Sequence, residues 1–426
     1  MITFKSLILS FIFLIKGINL SKIFSIPIFK SPSSTNNDFS DYIDINIYTN
    51  IKFGNNSENI SLILSFDIQS IIIQEQFKPK SSIILNYVGS ILYKNKIIRS
   101  TVYQDKIFLQ KTNLKNKTGI NEELEVEKYV YQKINDDIII KKNKKNFIGL
   151  HSLIIISGYN DNFVMQLKKK NLINSYDFTI EFLDDNNGKL ILGGMSHEYD
   201  NLSYDENDFI KENNINTDWN LNLYNISHEK NEEIIFDNNG IISLSYYGLV
   251  SSSSYQKMID KIYFNKLFEI NKCEIKNNIG EENVTIYICD EDVNVKKFPK
   301  LFLFDKILNY TFIFEGKELF KKFSKDKIIF LIHFWEEKEK WKLGQIFLKK
   351  YQLFYNYDKK IIGLYTKKKD IHRSLYFINY IIYIILIIII IILTICLINN
   401  RKKMFRKIRA NELEDTYDYT PSENLL

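Results

Sequence analysis

A chain of 426 residues exceeds the roughly 250–300 residues that one hydrophobic core usually holds, so two lobes are expected. Phe and Tyr are plentiful (31 and 27) while Ala occurs once, at Ala410, so the Asn, Lys and Ile richness reads as compositional bias and says little about function. The formal charge of +6 is concentrated in Arg401, Lys402, Lys403, Arg406, Lys407 and Arg409; with no basic stripe elsewhere, no nucleic-acid partner is expected.

The first segment, MITFKSLILSFIFLIKG, places Lys5 before an apolar run from Leu7 to Ile15, which predicts a signal peptide over 1–20. A short leader follows over 21–41. Beyond it the chain is built of short apolar or alternating runs broken by Asn, Gly, Asp and Lys: DINIYTNIKFG, SIILNYVGSILY, DFTIEFLDDNNGKLILGG and KIIFLIHFW. With turn dipeptides such as Asn187-Gly188, this spacing predicts a mainly β body. The charge-rich stretch 121–146 suits a surface hairpin. The polar stretch 203–220 suits a connection between lobes, dividing 42–200 from 201–370. Helical spacing is confined to short pieces, notably 254–268.

Residues 376–398, YFINYIIYIILIIIIIILTICLI, are long and apolar enough to span a bilayer. The basic cluster just beyond assigns the tail, 399–426, to the cytoplasmic side. The expectation is a single-pass type I membrane protein of the secretory pathway or cell surface, with its body lumenal or extracellular. Cys396 lies in the span, which leaves Cys273 and Cys289 as a candidate disulfide in an oxidising compartment. Closing that loop would contribute about 3 kcal/mol. Candidate glycosylation sequons begin at Asn55, Asn59, Asn116, Asn201, Asn225, Asn283 and Asn309.

One stretch poses a chemical question. SLILSFDIQSIIIQ, residues 61–74, sets Asp67 in an otherwise apolar strand, where Asp is strongly disfavoured. Read in order, NIYTNIKFGNNSENISLILSFDIQSIII, LNYVGS (with Tyr87 and Gly89), NFIGLHS, FTIEFLDDNNGKLILGG and WKLGQIFLKKYQLFYNYDKKIIGLY together resemble the pepsin-like aspartic proteases over about residues 42–366. The resemblance implies a bilobal fold, a flap hairpin carrying Tyr87 and Gly89, and a second-lobe helix, disulfide and strand at 254–268, Cys273–Cys289 and 298–304. In that family, two aspartates from Asp-Thr/Ser-Gly motifs share a proton and activate a water. Here Asp67 fills the first position and Ser70 matches, but Ile68 replaces Thr and Gln69 replaces Gly. Counting back from the helix at Tyr255 puts Ser243 at the second Asp position, with Leu244 and Ser245 at Thr and Gly.

Without a second carboxylate the shared-proton chemistry is missing, and a lone Asp with a pKa near ~3.9 cannot serve as both acid and base. The expectation is therefore a non-catalytic pepsin-like protein that binds an extended peptide or protein partner in the interlobe cleft. The alternatives are an active divergent endopeptidase using Asp67 with Asp237, and a trafficking or surface receptor. Five scattered histidines lack metal spacing and SSSSY (251–255) lacks a Gly-x-Ser-x-Gly elbow, so no metal or cofactor is expected. Only about twenty residues separate the expected signal end from the first strand, too few for an inhibitory prosegment of usual length.

Overall fold

The segment Ile47–Phe53 alternates buried and half-buried side chains along its whole length, the period of a strand with one face in a core. That pattern recurs throughout the chain. The computed structural model describes residues 22–30, 39, 46–54, 58–68, 70–73, 82–93, 96–111, 122–134, 145–151, 162–200, 203–213, 218–228, 234–279, 283–335, 340–367 and 371–417. The chain divides into two compact units, 1–367 and 368–426.

The first lobe contributes β1 (Phe24–Lys30), β2 (Ile47–Phe53), β3 (Glu58–Ser65), β4 (Ile72–Ile73) and β5 (Ile83–Tyr93). It continues with β6 (Lys96–Lys111), β7 (Glu122–Ile134), β8 (Phe147–Gly149), β9 (Asp177–Phe182) and β10 (Asn187–Leu192). The second lobe begins with β11 (Phe209–Asn213), β12 (Asn220–His228), β13 (Ile234–Ile242) and β14 (Leu249–Ser252). After the helical stretch 253–269 come β15 (Cys273–Ile279), β16 (Val284–Asp290), β17 (Leu301–Asp305) and β18 (Tyr310–Phe314). The lobe closes with β19 (Phe320–Lys322), β20 (Lys327–Phe330), β21 (Ile332–Trp335), β22 (Lys342–Leu343), β23 (Phe354–Asn356) and β24 (Ile361–Tyr365).

Among the described residues these strands form two large sheets. One runs β11-β24-β23-β9-β10-β1-β2-β3-β8-β4-β7-β6-β5, so its first three strands come from the second lobe and join the lobes by backbone hydrogen bonds. The other runs β18-β17-β12-β13-β22-β14-β21-β16-β20-β19 with β15 on β16. One buried apolar cluster extends from Phe24 to Leu364 and crosses the lobe junction through Phe66, Phe178, Trp219, Tyr355 and Tyr357. The Phe178 and Tyr355 rings stack at 4.6 Å, and Trp219 meets Tyr355 edge-on at 5.0 Å. A smaller cluster lies wholly in the second lobe around Tyr246, Tyr247, Val250, Leu331 and Trp335.

Several local readings change in the folded chain. Residues 24–30 of the leader form β1, paired in register with β10 and β2, so this segment is part of the sheet. The turn of the β9–β10 hairpin lies at 183–186, where Asp184 Oδ1 accepts from the Asn186 and Asn187 N–H groups at 2.7 and 2.8 Å. Gly188 is already in β10. Of the stretch 121–146, residues 122–134 form β7, a long strand paired with β6, while 135–144, where a hairpin partner would lie, are outside the described residues. The polar connection 203–220 contains β11, paired with β24. Cys273 and Cys289 stand opposite each other in the β15–β16 ladder and form the disulfide.

The second unit contains one long helix, Ile371–Tyr417, and its described side chains over 382–406 are exposed. The segment Ile382–Arg406 is long and apolar enough to cross a membrane. The signal peptide expected over 1–20 lies outside the described residues.

Candidate functional site

β3 ends at Ser65, so Asp67 is not in a strand interior. It is exposed in the bend that follows, while Phe66, Ile68 and Ile71 on either side are buried. The apolar residues hold the bend in the core and turn the carboxylate outward. Its backbone N–H donates to Ser65 Oγ at 3.1 Å. Gln69 lies outside the described residues.

The strands around this bend have a particular order. β3 runs parallel to β8 with Ile63 opposite Phe147, β8 antiparallel to β4 with Phe147 opposite Ile72, and β4 parallel to β7 with Ile72 opposite Gln132. The second lobe repeats it. β13 runs parallel to β22 with Ile241 opposite Lys342, β22 antiparallel to β14 with Lys342 opposite Val250, and β14 parallel to β21 with Val250 opposite His333. Matching the two ladders places Ile63 on Ile241, Ile72 on Val250 and Gly149 on Gly344. The intervening bend then aligns without a gap, and the residue facing the role of Asp67 is Ser245. A local bond repeats as well: the Ser245 N–H donates to Ser243 Oγ at 3.3 Å, as Asp67 does to Ser65. The second-site position therefore moves from Ser243 to Ser245, with Tyr246 and Tyr247 at the Thr and Gly places and Gly248 opposite Ser70. Neither reading puts a carboxylate there.

Asp237 does not replace it. Its backbone lies within β13, six residues before Ser243, or about 20 Å along an extended strand. Its side chain is outside the described residues. Tyr87 and Gly89 do lie on a hairpin, β5–β6, with Gly89 opposite Ser100 and a bulge between Leu85 and Val88. Their side chains also lie outside the described residues.

Both bends are fastened to the same junction. The His151 N–H donates to the Ile68 carbonyl at 3.0 Å, and its Nε2 stands 3.4 Å from Asp218 Oδ1. Trp219 Nε1 donates to the Leu150 carbonyl at 2.9 Å, and the Trp219 carbonyl accepts from the Ile242 N–H at 2.9 Å. The segment after β8, which is bonded to the first bend through His151, is thereby tied to the strand entering the second. The His151 imidazole holds the Asp218 carboxyl below the usual carboxylate range. On the second bend, the Tyr246 carbonyl accepts from the Gln345 N–H at 2.8 Å, one residue earlier than the His151 bond in the first lobe.

The side chains of the second bend are bulky and buried. The Lys342 ammonium lies 4.4 Å from the Tyr246 ring centre and 4.0 Å from that of Trp335, and donates to the Tyr246 hydroxyl at 2.9 Å. The Lys321 ammonium donates to the Tyr247 hydroxyl at 2.6 Å. Burial is the main reason the Tyr247 phenol is pushed above its usual range. His333, the counterpart of Gln132, is fully buried, and neither ring nitrogen has a hydrogen-bond partner among the described residues. Burial pushes its pKa down to about 4.

Among the described residues no group of three or more His, Cys, Asp or Glu side chains is arranged to hold a metal ion. Of the sequon asparagines, Asn59, Asn283 and Asn309 are exposed. Asn225 is half-buried in β12 with its Oδ1 out of solvent, a poor acceptor position. Asn55, Asn116 and Asn201 lie outside the described residues.

No protein-family model matches the sequence, and no curated protein matches it. Among solved structures the fold is similar to conglutin gamma, a basic 7S globulin from lupine seeds. The TM-score is 0.62 at 10% identity, covering 81% of this chain and 95% of that one. The basic 7S globulin from soybean is similar with a TM-score of 0.58 at 12% identity, again covering 81% and 95%. At such identities the likeness concerns fold alone: this chain is mainly β with the bilobal pepsin-like architecture, and it carries one apolar C-terminal helix.

Proposed function

We propose that the body of this protein is a non-catalytic pepsin-like scaffold that binds an extended peptide or protein partner along its interlobe cleft. The observation that carries this reading is that Ser245 holds, in the second ladder, the position that Asp67 holds in the first. A carboxylate facing a hydroxyl cannot share a proton as two carboxyls do, because the hydroxyl supplies only a neutral hydrogen bond. Water activation and leaving-group protonation then lack one partner. What remains is a two-lobed fold with the β5–β6 hairpin at the place of a flap, suited to holding a chain without cutting it.

The full chain in detergent should not cleave unfolded protein at about pH 4, and transition-state-mimicking inhibitors of aspartic proteases should not raise its melting temperature. The Ser245→Asp variant should gain inhibitor binding, whereas Ser243→Asp should not. Acid cleavage by the unaltered protein that Asp67→Asn abolishes would overturn the reading. The same proposal takes residues 376–398 as a membrane anchor with the basic cluster beyond it on the cytoplasmic side. A C-terminal tag reached by antibody on unpermeabilised cells would contradict that topology.

A further inference from the structure

The strand β11 lies at the edge of the interlobe sheet and has one ladder partner, β24. Its burial alternates: Lys211 and Asn213 are exposed, whereas Glu212 between them is 3% exposed. A buried Glu on an edge strand needs a reason. Glu212 Oε2 accepts from Asn222 Nδ2 of β12 at 3.1 Å. Asn222 adjoins Leu223, which stands opposite Asp305 at the end of β17, so the Asp305 carboxyl, itself 0% exposed, lies beside that of Glu212. Asp305 Oδ1 accepts from the Ile307 and Leu308 N–H groups, both at 2.9 Å. The two remaining oxygens, Glu212 Oε1 and Asp305 Oδ2, are out of solvent and find no donor among the described residues.

Two acceptor-only oxygens do not settle against each other in an apolar interior unless a cation or a proton lies between them. A hard cation would need six or more oxygen ligands and a route in. Here the two free carboxyl oxygens are enclosed by β11, β12 and β17. A proton needs neither. Burial raises both carboxyls, but the N–H donors on Asp305 oppose the rise there, which favours the proton on Glu212.

We propose that Glu212 and Asp305 share one proton in the folded protein, and that this proton fastens edge strand β11 to the second lobe, making the lobe junction tighter in mildly acidic than in alkaline surroundings. When the pair loses the proton to solvent, two buried like charges face each other, and β11 keeps its β24 ladder and the Phe209 ring contacts with Phe354 and Tyr365 but loses this tie to β17. No cation in the surrounding elements replaces the proton in the described contacts. The β24 residues opposite and next to Glu212, Ile361, Ile362 and Gly363, carry no charge, and the titratable Tyr365 stands farther along, opposite Phe209. The Lys306 ammonium lies 4.8 Å over the Tyr224 ring, and Tyr310 stands opposite Asp305 on β18. Lys360, at the turn before β24, is partly buried with its pKa lowered by that burial.

Burial and the Asp305 charge push the Glu212 carboxyl up to about 8, against 4.5 for the free side chain. The folded state therefore holds an extra proton between these values. Stability is fully present below about pH 4.5, falls as pH rises through the window, and levels off above about pH 8. All three tryptophans, Trp219, Trp335 and Trp341, lie in the second lobe, so urea unfolding of the full chain in detergent can be followed by fluorescence. In Glu212→Gln the amide donates permanently to Asp305. The ratio of wild-type to variant unfolding constants should climb up to about tenfold per pH unit from about pH 5 to 8 and then flatten. Taking the ratio cancels other titrating groups, such as His333. A constant ratio would overturn the proposal.

Infrared spectra of the wild type at neutral pH supply a second measurement should the variant fail to fold. A buried protonated carboxyl band is expected there, and its absence would overturn the proposal. So would restoration of stability at pH 8 by calcium in the wild type but not in the variant, which would make the pair a cation site.

Discussion

The bend 65–70 and the bend 243–248 have the same strand frame and the same serine accepting from the N–H two residues on, yet they share almost no other side chains. The first is Ser-Phe-Asp-Ile-Gln-Ser and the second Ser-Leu-Ser-Tyr-Tyr-Gly. Ladder hydrogen bonds and a buried apolar residue (Phe66 in one, Leu244 in the other) hold each bend in place. The next position, exposed at Asp67 and half-buried at Ser245, contributes little to that support. A chain can therefore lose its second carboxylate without losing the frame that would have presented it. The tyrosines of the second bend go further and fill its interior, where Lys342 and Lys321 lie on their rings.

Exchanging residues between the bends tests this most severely at Ser70 and Gly248. A Cβ on Gly248 would lie 2.1 Å from the Leu331 carbonyl oxygen. That oxygen already accepts from the Leu249 N–H at 2.8 Å and cannot easily withdraw. Gly248→Ser should cost more than about 3 kcal/mol in urea unfolding. The reciprocal Ser70→Gly should cost about 1 kcal/mol. Similar costs for the two would break the comparison.

A comparable but pH-dependent difference is expected at the next equivalent pair, Gln132 and His333. Gln132 accepts from Ser100 Oγ at 2.7 Å and does not titrate. His333 stays neutral in the folded state down to about pH 4, while the free side chain titrates at 6.5. The unfolded chain thus binds the extra proton between those values. Stability is fully present above about pH 6.5 and is lost as pH falls through 4, by about 3 kcal/mol. His333→Gln should flatten that acid limb in equilibrium unfolding between pH 7 and 4. An unchanged limb would mean that His333 finds a proton acceptor in solution.

The smallest effect is expected at Asp67. Because it is exposed, Asp67→Asn should change stability by less than about 0.5 kcal/mol at neutral pH. A cost above about 1 kcal/mol would show that the carboxylate supports the bend, and would sharpen the contrast with Ser245.

The alternating runs determined by themselves that this chain would be built of strands. The β9–β10 segment, the Cys273–Cys289 pair and the apolar C-terminal helix were legible because each depends on local pattern or on elimination among few residues. The identity of the second-bend residue was not. Counting back from Tyr255 gave Ser243, two residues early, because the distance from bend to helix depends on the length of β14, which only its pairing with β21 and β22 defines. Asp67 read as a strand interior because nothing local marks the end of β3 at Ser65. Glu212 read as part of a polar connection, since its burial depends on Asp305 and Asn222, brought beside it by separate strands. Side-chain period is a property of consecutive residues and survives in the sequence. Register, burial of a charge and the partner across a bend are properties of strands far apart in the chain, and the tertiary structure alone decides them.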